Sequence, residues 1–154
     1  MKAAFLHAPG KISIEDAELP KIGPREVLVR TDVALTCGTD LKLYKRGHPL
    51  AKLPLIIGHE FAGKVSEVGN EAKNFHEGDR VVSVNSAPCD ECYFCRRGQQ
   101  NLCENFGSII GFSTPGAYAE YLTIPDRIVE KNTLTIPEGV SPEEAAILEP
   151  LACA

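Results

Sequence analysis

The sequence predicts a mainly β domain, a barrel or sandwich of short strands. Three observations carry that expectation. Short strand-like runs recur along the chain. Glycine and proline, 13 and 11 residues, punctuate them. Helical signals are confined to two places, so alternating βα units are not expected.

Taken in order, Lys2–His7 and Lys11–Asp16 read as two strands parted by a turn at Pro9-Gly10. Glu26–Thr36 contains the β-branched run VLVRTDVALT and suits a longer, partly buried strand. Phe61–Val68 alternates and ends at Gly69-Asn70, a turn signal. Asp79–Val84 follows the turn residues Glu77-Gly78, and Gly116–Ile124 and Ile128–Lys131 complete the strands. Gly38–Arg46 predicts a short helix with Gly47 as its stop. A second helix is expected over Ser141–Leu148. Ser141 suits the N-cap, Pro142 the first helical position, and Glu144 closes a capping box. No repeat or low-complexity segment interrupts the pattern, and 154 residues correspond to one domain.

Composition narrows the function classes. Lys and Arg number 16 against 21 Asp and Glu, a net charge of -5. The acidity is uneven, with 2 basic and 8 acidic residues in 104–154. Neither a basic excess nor a basic stripe is present, which argues against a nucleic-acid partner. No apolar run approaches the roughly 20 residues that span a bilayer, so no membrane partner is expected. Met1–His7 is too short and too soon polar for a signal peptide, and the default location is cytoplasmic.

Four of the six cysteines fall in one short stretch, Cys89, Cys92, Cys95 and Cys103, with the spacing C-x2-C-x2-C-x7-C. Each C-x2-C step lets two thiolates reach one ion from a single turn. The longer gap brings the fourth around to close a tetrahedron. Four thiolates leave no open position, which is the pattern of a structural zinc site. Zinc would then supply folding energy to a lobe, about 86–106, that has little apolar material of its own. Disulfides suit an oxidising compartment better. The bacterial ferredoxin run has a shorter last gap followed by proline, where Glu104 stands here. A nucleic-acid-binding zinc ribbon would call for a more basic surround.

A second constellation joins Cys37-Gly38-Thr39-Asp40 to Gly58-His59-Glu60. A thiolate, an imidazole and a carboxylate with an open fourth position describe a catalytic zinc site. Thr39 sets a hydroxyl beside the cysteine. Asp40 is of the right type to hold the far nitrogen of His59. Each residue alone has an ordinary alternative: Cys37 as a small buried hydrophobe, His59 as a loop residue, Glu60 and Glu149 as solvated charges.

The run Gly58-His59-Glu60-x2-Gly63-x5-Gly69-x2-Ala72 resembles the signature of the zinc-containing alcohol dehydrogenases, of the medium-chain dehydrogenase/reductase superfamily. Cys37-Gly38-Thr39-Asp40, Gly78-Asp79-Arg80-Val81 and the four-cysteine lobe follow in that family's order. The tail Leu148-Glu149-Pro150-Leu151 is similar to its polyol and threonine dehydrogenase branch. The resemblance runs from Met1 to Ala154. It implies a GroES-like β-barrel carrying an inserted zinc lobe. It implies two zinc ions per chain, one structural and one catalytic. The catalytic ion would be held by Cys37, His59 and Glu60, with Glu149 as a further or exchanging ligand. The implied reaction is NAD(P)-dependent oxidation of a hydroxyl to a ketone or aldehyde through a zinc-bound alkoxide, with Thr39 and Asp40 in the catalytic set. Glu149 and Gly38 lean toward polyols, threonine or similar hydroxyl compounds as the small-molecule substrate.

Two departures stand out. Family members commonly place a histidine two residues after the Asp of this motif, where Lys42 stands here, and His48 has no role on these grounds. No strand–G-x-G-x-x-G–helix unit is present, so a Rossmann coenzyme domain is absent from these residues. The expectation is therefore one domain over 1–154, with 141–154 starting a connecting helix toward a coenzyme domain. Such a piece would be inactive alone and prone to self-association through an exposed apolar face. Cys153 reads as a packed helix thiol. The competing function is a non-enzymatic GroES-like binding module holding only the structural zinc.

Overall fold

The computed structural model describes residues 1–49 and 51–154. Its strands are β1 (Lys2–Ala8), β2 (Lys11–Asp16), β3 (Val27–Leu35), β4 (Leu55–Ile56), β5 (Glu60–Val68), β6 (Arg80–Ser83), β7 (Tyr121–Ile124) and β8 (Thr133–Thr135). Its α-helices are α1 (Gly38–Arg46), α2 (Asp126–Asn132), α3 (Pro142–Ala145) and α4 (Leu148–Cys153). The strands form a sheet of order β2-β1-β4 and a larger one of order β7-β3-β5-β6-β8. Every pairing between these strands is antiparallel.

β5 lies at the centre of the larger sheet, and both of its faces are covered. Phe61 and Val65 share one face and join Val29, Val81, Leu122 and Ile128 in the main core. Ala62 points the other way, as alternation demands, and packs with Val82, Ile136, Ala145 and Ala146 under α3. A third cluster of Leu6, Leu43, Leu55 and Ile57 fastens α1 to the smaller sheet.

The structure corrects three elements of the sequence reading. Ile128–Lys131 is not a strand but the middle of helix α2. Ile128 and Val129 are neighbours in sequence and both buried, which one face of a strand cannot achieve but a helix packed on the core can. Asp126 in the first turn and Lys131 in the last suit the helix dipole. Gly116–Ile124 is a strand only over Tyr121–Ile124. Its first half changes partners: Tyr118 N–H donates to Ile57 O at 3.0 Å, Ala4 N–H to Tyr118 O at 2.7 Å, and Thr31 N–H to Glu120 O at 2.9 Å. That segment therefore splices the two sheets together and belongs to no single ladder. Ser141–Leu148 is not one helix. The capping box forms, with Ser141 N–H on Glu144 Oε2 at 2.8 Å, but α3 stops and α4 restarts. In one continuous helix Pro150 would sit in the interior, without an N–H and against the Ala146 carbonyl. In α4 it falls in the first turn, where it costs nothing. The two- and three-residue strands β4 and β8 are too short to leave a periodic signal.

Candidate metal centres

The register of β3 on β5 builds the first site. Leu35 pairs with Glu60, so the residues just beyond the end of β3 lie beside those that open β5. Cys37 and His59 thus become neighbours although 22 positions separate them. Cys37 is the N-cap of α1. Its Sγ accepts from Thr39 N–H at 3.4 Å, and its own N–H donates to Asp40 Oδ2 at 2.9 Å. A cysteine here takes the place of the usual Ser or Thr of a capping box.

Cys37, His59 and Glu60 each offer a ligand atom, and these three atoms lie within 4.8 Å of one another. His59 and Glu60 are buried and Cys37 is half-buried. Asp40 stands behind His59, with Oδ1 3.3 Å from Nδ1 and both side chains almost wholly buried. The pair is close but not aligned as a hydrogen bond, and neither atom has another partner among the described residues. Burial alone would push the His59 imidazole down. Asp40, with help from Cys37 and Glu149, outweighs it and raises His59 to about 9. Burial works against the Asp40 carboxylate too, but His59, the Cys37 N–H and Tyr118 hold it below its ordinary value.

Glu149 lies in the first turn of α4 and is buried at 7 % exposure. It stands outside the 4.8 Å group. Burial pushes its carboxyl up, and the nearby charges of His59 and Glu60 act on it in opposite directions. Thr39 is half-buried in the first turn of α1, and Lys42 in the next turn is exposed. Cys153 differs from expectation. It is exposed, one helical turn beyond Glu149, with Sγ 3.9 Å from Oε1. Phe112 walls one side of the site, its ring 5.8 Å from that of His59 and 5.5 Å edge-on to that of His48.

One residue of this neighbourhood left no signal in the sequence. Tyr118 donates from its hydroxyl toward Leu35 O at 3.0 Å, Thr36 Oγ1 at 3.1 Å and Asp40 Oδ2 at 3.1 Å. Its local pattern is that of any aromatic residue near a strand, and only the splice between the sheets carries it to Asp40.

The second site is the cysteine lobe. Cys89, Cys92, Cys95 and Cys103 all place Sγ within 4.8 Å of one another. Cys89 and Cys95 are 3.9 Å apart. A zinc–sulfur bond of about 2.3 Å in a tetrahedron implies sulfur–sulfur edges of about 3.8 Å, whereas a disulfide needs about 2 Å. Backbone N–H groups of Cys89 and Asn105 point at Cys103 Sγ, both at 3.3 Å, and that of Cys92 at Cys89 Sγ at 3.4 Å. N–H groups of Cys95 and Glu104 hold Cys92 down, to about 6, while burial pushes Cys95 up to about 12. Helix α2 fastens both ends of the lobe. Asn132 Nδ2 donates to Ser86 O at 2.6 Å, Lys131 Nζ to Pro88 O at 3.1 Å, and Arg127 to Asn105 O at 2.8 Å. No helix of the described residues is long and apolar enough to cross a membrane.

Residues 23–137 match the alcohol dehydrogenase GroES-like domain. An L-threonine 3-dehydrogenase of Rhizobium etli is 35% identical over 155 residues, covering 97% of this chain and 44% of its own length. A thermostable alcohol dehydrogenase from Pyrobaculum aerophilum superposes with a TM-score of 0.84 at 36% identity, over 96% of this chain and 44% of that one. An alcohol dehydrogenase from E. coli CFT073, complexed with NADH, gives 0.84 at 33% identity, over 97% and 42%. The chain thus spans less than half the length of the relatives it matches. With the fold, both side-chain clusters and this match in agreement, the chain belongs to the alcohol dehydrogenase GroES-like domain family of the zinc-dependent medium-chain dehydrogenases.

Proposed function

We propose that this chain is the metal-carrying catalytic part of a dehydrogenase that oxidises a hydroxyl of a small alcohol, polyol or hydroxy amino acid, using NAD(P) bound by the remainder of a longer protein. One observation carries the reading: Cys37, His59 and Glu60 converge from two chain segments with their ligand atoms within 4.8 Å. The donor set fits zinc, with one thiolate, one imidazole and one carboxylate, and a further position left for water or substrate. When bound, zinc supplies Lewis acidity toward the substrate hydroxyl, and the nicotinamide accepts the hydrogen and its electron pair.

The chain's own residues do the rest. The Thr39 N–H donates to Cys37 Sγ and holds it at the mouth of α1. Asp40 turns to Nδ1 of His59, which leaves Nε2 for the metal and supports the imidazole as a ligand. Glu149, buried close behind, is a carboxylate able to exchange onto the metal. The Thr39 hydroxyl oxygen takes the proton of the substrate hydroxyl as it gives its own proton to water, which carries it outward past exposed Lys42. Phe112 and His48 form an aromatic wall that excludes bulk water from one side. The cysteine lobe closes around a second, structural zinc that no substrate can reach. Threonine as substrate is supported by the name of the Rhizobium etli relative.

Zinc per chain, measured by elemental analysis, tests the reading. Wild type is expected to hold two zinc ions, and Cys37→Ser and Cys92→Ser one each. One zinc in wild type that persists in Cys37→Ser and vanishes in Cys92→Ser would overturn it in favour of a binding module with only a structural zinc.

A further inference from the structure

We propose that Tyr118 is a positioning residue of the Cys37–His59–Glu60 site, its hydroxyl clamping Asp40 so that Asp40 in turn aims His59. This inference rests on the metal site proposed above.

The argument begins with the carboxylate. Asp40 is 3 % exposed, so water cannot orient it. Its Oδ2 takes two donors, the Cys37 N–H at 2.9 Å and the Tyr118 hydroxyl at 3.1 Å. Its Oδ1 is left facing His59 Nδ1 at 3.3 Å, with no other partner among the described residues. Two donors on one oxygen fix the rotation of the carboxylate plane, and one donor leaves it free to turn about that bond. The rotation of Asp40 is what sets the direction in which His59 presents its other nitrogen.

The tyrosine is itself held. Its hydroxyl has one proton for three acceptors, Asp40, Leu35 O and Thr36 Oγ1. The charged one makes the strongest bond, and the Thr36 hydroxyl is free to donate back into the phenol oxygen. The ring covers Gly58, the residue before His59, so closely that a Cβ there would lie 2.6 Å from Tyr118 Cδ1. Its backbone N–H donates to Ile57 O at 3.0 Å. Tyr118 thus touches the strand end before Cys37, the turn before His59, and the carboxylate that joins the two. Phenylalanine would keep the ring and every backbone contact and remove only the clamp.

Titration of the metal-stripped chain with cobalt(II) tests this. Visible absorption separates a four-thiolate site from a one-thiolate site, and Cys37→Ser identifies the latter. Tyr118→Phe is expected to weaken cobalt binding at the Cys37 site about threefold to tenfold, below the about 10- to 100-fold typical of losing a direct partner of a ligand. It should shift the absorption band of that site and leave the cysteine lobe unchanged. Asp40→Asn should weaken the same site about tenfold or more, and Tyr118→Phe should add less than about twofold in that background. Thr36→Ala, which removes another partner of the same hydroxyl, should leave affinity within about twofold of wild type. Tyr118→Phe within twofold of wild type, an undiminished loss in the Asp40→Asn background, or an equal loss in Thr36→Ala overturns the clamp. Wild type that takes up cobalt only in the cysteine lobe overturns the metal site itself, and the clamp with it.

Discussion

Replacing Gly58 with alanine should be among the more damaging single-methyl changes in this chain. Gly58 has φ +95, where a side chain is strained, and an added Cβ would meet three Tyr118 ring carbons at 2.6, 2.8 and 2.9 Å. Backbone strain of this kind costs about 1–3 kcal/mol. The ring must retreat by about 0.9 Å to restore an ordinary carbon contact of about 3.5 Å. Its hydroxyl sits 3.0–3.1 Å from its three acceptors, so that movement breaks the bond to Asp40. Losing a hydrogen bond to a charged group costs about 1.5–3 kcal/mol. Together these give about 2.5–6 kcal/mol, or on the order of 10 °C in melting temperature for a chain of this size. Gly139 provides the control. It has φ +88 with nothing within 4 Å of an added Cβ, so Gly139→Ala carries strain alone. The general effect of alanine on the unfolded chain cancels between the two. Urea unfolding followed by circular dichroism, at equal zinc loading, gives the difference, expected at about 1.5–3 kcal/mol. Equal destabilisation of the two variants, within about 0.5 kcal/mol, would refute the contact between ring and glycine as the cause.

Three further outcomes are expected. Phe61 is fully buried in the main core, next to the pair His59 and Glu60. Phe61→Ala should cost about 3–5 kcal/mol in the same unfolding assay, and a loss below about 1 kcal/mol would show that the core collapses around the gap. The Ser141 N–H, and then its hydroxyl, hold the Glu144 carboxyl below its usual 4.5. The sign follows from a folded value below the unfolded one. The capping contribution is complete above about pH 4.5 and fades as pH falls through the folded value. Glu144→Gln should therefore flatten the acid side of the stability–pH curve, and a curve parallel to that of wild type would exclude the cap as its source. Ser141→Ala should cost about 1 kcal/mol near neutral pH.

The cysteine lobe was legible because its geometry is local: two C-x2-C steps bring sulfurs together within one turn whatever the rest of the chain does. The strands β1, β2, β3, β5 and β6 and the helix α1 were legible for a similar reason, since alternation, turn residues and the Gly47 stop act over a few residues. Ile128–Lys131 misled because Ile and Val favour strands. Burial of both against the core decided for a helix. The break between α3 and α4 could have been read from Pro150, whose missing N–H forbids one long helix.

By itself the sequence pointed to which residues are chemically able to hold a metal, and that four cysteines stand at the spacing of one site. Spacing alone could not decide that Cys37 joins His59 and Glu60, which the family resemblance grouped, because nothing local brings Cys37 to that pair. That follows from the antiparallel register of Leu35 on Glu60, a long-range pairing selected by burial of both faces of β5. Tyr118 was decided entirely by tertiary structure. Its hydroxyl meets Asp40 across 78 residues because the segment around it changes sheets. Spacing reports contacts within a turn, and contacts between elements depend on how the whole core packs.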